Sequence, residues 1–216
     1  MNINKYKSYW GAQILPQRLD KILEVKETKS TILDYGCGQG AYTRYLNEKN
    51  IKTIGVDIIN YKEWFDDSNF LLIEKDLIPF RDNHFDVCFC FEVLEHCHNI
   101  DKVIKDILRV TKKHFILSVP NCDINNSLRV ANLVPAHWTD QTHINFFTKA
   151  SLLQTLEKYN FNIKTVEDCL PISVSEYFWQ TLKVPSLIKK IGAKLCRDFH
   201  LSPIFYSSIL VHCTLK

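Results

Sequence analysis

Three of the chain's six glycines fall within five residues, Gly36-Cys37-Gly38-Gln39-Gly40, and this run constrains the fold more than any other feature. It follows the apolar stretch 31–35, which reads as a strand, and precedes a helical pattern that continues to about residue 48. Glycine lets the backbone turn sharply and lets a ligand approach where a β-carbon would collide. A glycine loop gains specificity from such a strand before it and helix after it, the opening unit of a parallel sheet covered on both faces. The spacing also discriminates between ligands. Dinucleotide loops place their third glycine three positions after the second and seat a pyrophosphate on the helix N-terminus. Here the third follows after two positions, and Asp34 stands just before the loop. A carboxylate there repels phosphate and suits a ligand bearing an amino group and a sulfonium.

The remaining chain continues the alternation. An amphipathic segment over 15–25 comes first; further strands are predicted over 51–57, 70–74, 85–91, 114–119, 161–166 and 207–214. The run 85–91 is apolar on both faces and therefore central. Helices are predicted over 100–110 and 149–159, the second started by Thr148 as N-cap. The stretch 121–147 has no clear period and is rich in Asn, His and Trp, and long connections of that kind are usually functional. Between the last two strands, Val184, Leu187, Ile188, Ile191, Leu195 and Phe199 follow helical spacing, with Lys189, Lys190, Lys194 and Arg197 elsewhere on the wheel. Asp57 ends the second strand, where a carboxylate can accept hydrogen bonds from both ribose hydroxyls. S-adenosylmethionine (SAM) carries the amine, the sulfonium and the ribose that these two acids suit.

A length of 216 residues supports one sizeable core, expected as a single domain over 1–216: an N-terminal helical cap (1–29), a cofactor-binding core (30–165) and a helical insert (168–206). A net charge of +3 is too small to argue for nucleic acid. No apolar run reaches the roughly 18 residues of a membrane span, and no apolar signal core opens the chain, so the expectation is an unprocessed cytoplasmic protein. The eight cysteines form no Cys-x-x-Cys pair and are read as reduced, small hydrophobes.

The stretches 32–40 (ILDYGCGQG) and 54–58 (IGVDI) resemble the first two motifs of class I SAM-dependent methyltransferases. Residues 78–96 (IPFRDNHFDVCFCFEVLEH) and 143–163 are similar to blocks of the branch that includes ubiquinone-biosynthesis O-methyltransferases, of the methyltransferase type 11/23 kind. The resemblance implies a Rossmann-like α/β fold, with a seven-stranded, mostly parallel sheet, its last strand antiparallel and helices on both faces. It implies SAM as cofactor, with Asp34, Gly36 and Gly38 at the methionine end and Gly40 packing the helix. Asp57 would take the ribose, Ile58 and Leu77 the adenine ring, and Asp76 the adenine amino group. Phe91 and Glu92 would stand beside the methyl donor, and Leu94, Glu95 and His96 would begin the next helix.

Methyl transfer from a sulfonium disperses charge, so positioning is the enzyme's main task, and an oxygen nucleophile also needs a base. His143, oriented by Asp140, is the first candidate and His96 the second. Tyr9, Trp10, His137, Trp138, Asp140 and Tyr177 are candidates for the acceptor side. No metal is expected: His96, Cys97 and His98 are adjacent and would project apart on a helix, whereas metal ligands converge from spaced positions. The acceptor is expected to be an oxygen of a small molecule or glycan-type precursor. The alternatives are N-methylation of a small metabolite and a non-catalytic SAM-binding or membrane-peripheral protein, the last through the basic stretch 183–199. Phe91-Glu92-Val93-Leu94 replaces the Asp/Asn-Pro-Pro-aromatic element of base-flipping methyltransferases.

Overall fold

A computed structural model describes residues 13–64, 67–74, 77–123, 136–199 and 204–215. The first strand, β1 (Ile32–Tyr35), is buried at all four positions, as a strand covered on both faces must be. β2 (Thr53–Asp57) and the short β3 (Phe70–Leu72) lie to one side of it. β4 (Phe85–Phe91), β5 (Thr111–Pro120), β7 (Ile204–Thr214) and β6 (Asn162–Ser173) lie to the other, giving the order β3-β2-β1-β4-β5-β7-β6. β1 to β5 run parallel, and β7 is antiparallel to both its neighbours.

Alternation along the strands sorts the core into two layers. On one face, α1 (Pro16–Val25) and α2 (Ala41–Glu48) bring Leu19, Ile22, Tyr42 and Leu46 onto Ile32, Val87, Phe89 and Ile116. On the other, α3 (Ile100–Val110) and α4 (Lys149–Glu157) bring Val103, Ile104, Ile107, Leu152 and Leu156 onto Leu33, Cys88, Cys90, Phe115 and Leu117. Each fully buried side chain of this size contributes about 1.5–3 kcal/mol. The helices start where local chemistry supplies a cap. The Asn99 side chain accepts from the Lys102 amide, and Thr148 and Ser151 bond each other's backbone amides. All eight cysteines are free thiols, six of them buried.

Three expectations need correction. Residues 94–96 form a separate 3-10 turn, not the start of α3, because Asn99 caps a new helix at Ile100. The block 143–163, which resembles the branch's strand and helix after the long loop, supplies α4 but no strand before it, only a single bridge between Asn121 and Phe147. β6 and β7 extend well beyond the expected 161–166 and 207–214, pairing from Asn162↔Thr214 to Ser173↔Ile204. This long ribbon carries the insert as two helices, α5 (Val174–Thr181) and α6 (Ser186–Asp198). The apolar stripe of α6 faces outward: Leu187, Ile188, Ile191 and Leu195 are all exposed, as is Phe199 beyond it. Among the described residues, no helix is long and apolar enough to cross a membrane.

The order reverses at β1, whose neighbours are β2 and β4. A crevice opens at the carboxyl ends of strands at such a switch point, and ligands of open α/β sheets bind there.

Candidate functional site

The glycine loop leaves β1 with two amides, Gly36 and Cys37, donating to the Val56 carbonyl at 2.8 and 3.1 Å. Gly36 (φ +73°) and Gly40 (φ +84°) hold left-handed conformations that disfavour other residues. A β-carbon on Gly36 would fall 2.3 Å from Val93 Cγ2, and one on Gly40 would fall 2.3 Å from the Phe70 ring. The loop is thus pressed between the segment after β4 and the start of β3. The Trp64 indole donates to the Gly38 carbonyl at 2.9 Å, fixing the loop's outer side.

Both predicted acids flank this loop. Asp57 Oδ2 accepts from the Gly38 amide at 2.9 Å and Oδ1 from the Ile59 amide at 3.1 Å. Burial raises its pKa above the ordinary value, against the pull of these amides. Asp34 is buried and accepts from the Thr43 hydroxyl at 2.8 Å, beneath α2. Burial pushes its carboxyl up to about 7, and the nearby Asp57 charge adds to the rise. Ile58 (61% exposed) and Leu77 (59% exposed) are bare apolar surface beyond the strand ends. Large apolar side chains left this open are free to meet a flat apolar ligand.

At the end of β4, Glu92 is held at φ +55°. Its Oε1 accepts from the Arg18 guanidinium and from the hydroxyls of Ser118 (3.0 Å) and Ser208 (2.8 Å). Arg18 is buried, donates also to Ser208 at 3.2 Å, and lies 5.3 Å from the Phe91 ring centroid. Phe91 meanwhile packs edge-on against Tyr42. Arg18 escaped the sequence reading, although it sits four residues from both Ile14 and Ile22, on the apolar face of the first helix. A cation at such a position requires a buried partner.

The histidines gather at the next turn. The Glu95 carbonyl accepts from the Ile144 and Asn145 amides at 2.9 and 3.0 Å, and the Asn145 side chain donates to the carbonyls of Leu94 and Cys97. These bonds stitch the far end of the loop onto the 3-10 turn. His96 and His143 therefore meet edge to face, their ring centroids 4.8 Å apart. The His96 Nδ1 donates to the Thr142 carbonyl and the His143 Nδ1 to the His137 carbonyl, both at 3.0 Å. A carbonyl only accepts, so each neutral ring keeps its lone pair on Nε2. Asp140 Oδ2 is 3.6 Å from His143 Nε2, near enough for electrostatic orientation but too far for a hydrogen bond.

Glu95 is 1% exposed, and neither of its carboxylate oxygens has a hydrogen-bond partner among the described residues. Burial, reinforced by the charge of Glu92, holds its carboxyl well above the usual range. One of its oxygens lies within 4.8 Å of a ring nitrogen of each of His96 and His143. No metal was expected from the sequence, yet three groups that could serve as metal ligands meet here. Adjacency along the chain argued against 96–98, but it carried no information about a partner 47 positions away.

Other candidates fall elsewhere. His137 Nε2 donates to the Asn121 carbonyl at 3.1 Å, and burial lowers its pKa. Trp138 stacks on Phe146 at 5.0 Å and stays 41% exposed. Tyr9, Trp10 and Asp76 lie outside the described residues, as does the side chain of Tyr177 on α5.

Comparison with known proteins agrees with this geometry. Residues 8–166 match the family model described as a methyltransferase domain. A 115-residue stretch is 33% identical to an uncharacterized protein of Methanocaldococcus jannaschii, covering 51% of this chain and 50% of that one. Another of 136 residues is 22% identical to a malonyl-[acyl-carrier protein] O-methyltransferase of Hamiltonella defensa, covering 59% and 51%. The chain thus spans about half the length of the curated relatives it matches. Among solved structures, a SAM-dependent methyltransferase of Archaeoglobus fulgidus superposes with TM-score 0.61 at 17% identity, covering 92% of each chain. The 1,6-didemethyltoxoflavin-N1-methyltransferase of Burkholderia thailandensis, solved with S-adenosylhomocysteine, superposes with TM-score 0.57 at 15% identity, covering 91% of this chain and 74% of that one. With its glycine loop at the switch point of a seven-stranded sheet and most of its length matched by the family model, the chain belongs to the class I, SAM-dependent methyltransferase domain family.

Proposed function

We propose that this chain, acting as one domain over 1–216, transfers the methyl group of SAM to an oxygen of a small molecule or glycan-type precursor. The observation that carries the reading is the glycine loop at the switch point, with Asp57 bound to the Gly38 amide and leaving lone pairs for a diol. The cradle fits the cofactor. Gly36 and Gly40 keep the loop where a β-carbon would collide with Val93 or Phe70, and a buried carboxylate (Asp34) with a half-buried one (Asp57) suits a ligand of positive charge. Asp34, Gly36 and Gly38 would hold its methionine end, Asp57 its ribose, and Ile58, Leu77 and Asp76 its adenine. SAM supplies an electrophilic methyl on a cationic sulfur.

The protein's own part is orientation and proton handling. Arg18, Ser118 and Ser208 hold Glu92 at the end of β4, beside the loop, so that position is rigid. Held near-attack geometry accounts for much of the acceleration of a displacement. His143 Nε2, its lone pair directed by the Nδ1 bond to the His137 carbonyl, is the proton acceptor for a hydroxyl nucleophile, with His96 beside it. Tyr9, Trp10, Trp138 and Tyr177 are assigned to the acceptor side. Eight free thiols fit a reducing compartment such as the cytoplasm.

The relatives' names include an O- and an N-methyltransferase; the proton-accepting imidazoles favour oxygen, because a neutral amine needs no base before attack. The test is calorimetry with S-adenosylhomocysteine. Binding should be micromolar or tighter in the wild type and at least tenfold weaker in Asp57→Ala, with no heat from NAD. Absence of heat from the wild type refutes the assignment.

A further inference from the structure

We propose that Glu95, His96 and His143 form a binding site for a divalent cation of the zinc or cobalt type, which holds and acidifies the acceptor's hydroxyl. Two observations carry it independently of one another.

The first is the orphaned carboxylate. Glu95 is 1% exposed and both its oxygens lack hydrogen-bond partners among the described residues. A buried ionisable group left unsatisfied bears its desolvation uncompensated, and native structures rarely leave one without a reason. The Glu95 backbone is fixed by the Ile144 and Asn145 amides, so the side chain sits at the junction of the turn and the loop. Val93, against which Gly36 packs, is two residues away. The carboxylate thus belongs to the same rim of the sheet as the glycine loop.

The second is the state of the two rings. Each histidine spends Nδ1 on a backbone carbonyl, Thr142 for His96 and His137 for His143. This is the arrangement that fixes a metal-binding imidazole, with one nitrogen anchored and the other presenting its lone pair. Glu95 Oε1 is 3.9 Å from His96 Nε2, and the donor atoms of all three residues lie within 4.8 Å of one another. Ligands about 2.1 Å from a shared tetrahedral ion lie roughly 3.4 Å apart, so rotamer adjustments on the order of 1 Å bring the set into range. Asp140 Oδ2, 3.6 Å from His143 Nε2, stands where a further oxygen ligand would be useful.

Donor chemistry selects the ion. Two imidazoles and a carboxylate suit zinc, iron or cobalt, whereas magnesium and calcium prefer all-oxygen shells. Three protein ligands leave a position open, and the His96 side chain is 41% exposed, so an outside oxygen has access. The inference rests on the oxygen-acceptor reading above. An acceptor hydroxyl bound at the open position loses its proton to solvent more readily. Its oxygen then forms the bond to the methyl carbon while the carbon–sulfur pair stays on sulfur. With the ion bound, each Nε2 lone pair is spent on it, so the ion takes over from His143 the removal of the hydroxyl proton; without the ion, His143 Nε2 keeps the role of base.

The test uses cobalt(II) as probe on the full chain under reducing conditions. Visible ligand-field bands should saturate at one ion per chain, with no intense near-ultraviolet thiolate band. Glu95→Gln, His96→Ala and His143→Ala should each weaken cobalt binding at least tenfold, with circular dichroism confirming that each is folded. Asp57→Ala should bind cobalt like the wild type, so loss of SAM binding and loss of the cation are read separately. A thiolate band, absence of binding, or binding untouched by all three substitutions overturns the proposal. If one variant does not fold, the other two still decide it.

Discussion

Replacing Arg18 with methionine tests whether the end of β4 is organised by a buried ion pair. The Arg18 guanidinium donates to Glu92 and to Ser208, and its side chain is 6% exposed while that of Glu92 is 33% exposed. Removing one partner of a buried pair costs about 3–5 kcal/mol, chiefly because the other charge is stranded. In Arg18→Met the stranded group is Glu92, which keeps the hydroxyls of Ser118 and Ser208 and some water. We therefore expect a loss at or below the low end, about 2–3 kcal/mol. In Glu92→Gln the stranded group is an arginine that cannot shed its proton; its environment is drier, so the loss should be about 3–4 kcal/mol. The double variant strands no charge and should lose less than the sum, with a coupling of about 2 kcal/mol or more. Urea denaturation of the four proteins measures this, provided the slope m stays constant. Losses that add within about 0.5 kcal/mol would refute the argument, because an organising pair cannot be additive.

Gly40→Ala should destabilise by about 2–5 kcal/mol, since it adds left-handed strain at φ +84° to a clash with the Phe70 ring, and that ring is stacked on Trp64 at 5.3 Å; a denaturation midpoint unchanged from wild type would contradict it. Asp34 has a folded pKa of about 7 against an ordinary 3.8, so its ionisation cost is absent near pH 4 and complete above pH 7. The ligand-free protein should therefore lose stability as pH rises through that window, by at most about 4 kcal/mol at about 1.4 per unit. Asp34→Asn should gain on wild type in melting temperature between pH 5 and 8, and a pH-independent difference would count against the shift. Ile58→Asp places a charge on exposed apolar surface, so it should leave stability within about 0.5 kcal/mol yet weaken S-adenosylhomocysteine binding severalfold by calorimetry. Equal binding would remove Ile58 from the adenine side.

Short-range patterns made much of the frame legible. Seven strands were readable because alternation, continuous apolar runs and turn residues act over a few positions, and β4 and α3 were placed end for end. Where local chemistry competed, the boundaries moved: Asn99 started α3 afresh and made residues 94–96 a turn, while pairing with β7 drew β6 out to Ser173. The outward stripe of α6 was invisible, since amphipathic spacing says that a face exists but not what covers it. That basic helix is the feature supporting a peripheral role at an anionic membrane, and salt-sensitive co-sedimentation of the full chain with anionic vesicles would test it.

By itself the sequence determined the sheet class, the glycine turn and the two acids at strand ends, because each depends on residues within one supersecondary unit. Tertiary structure alone decided which side chains share a space. Arg18 meets Glu92 across 74 positions, and His143 reaches Glu95 and His96 only because Asn145 ties the loop to the 3-10 turn. Contacts at such separation depend on how the whole sheet stacks its crossovers, and no local period encodes them.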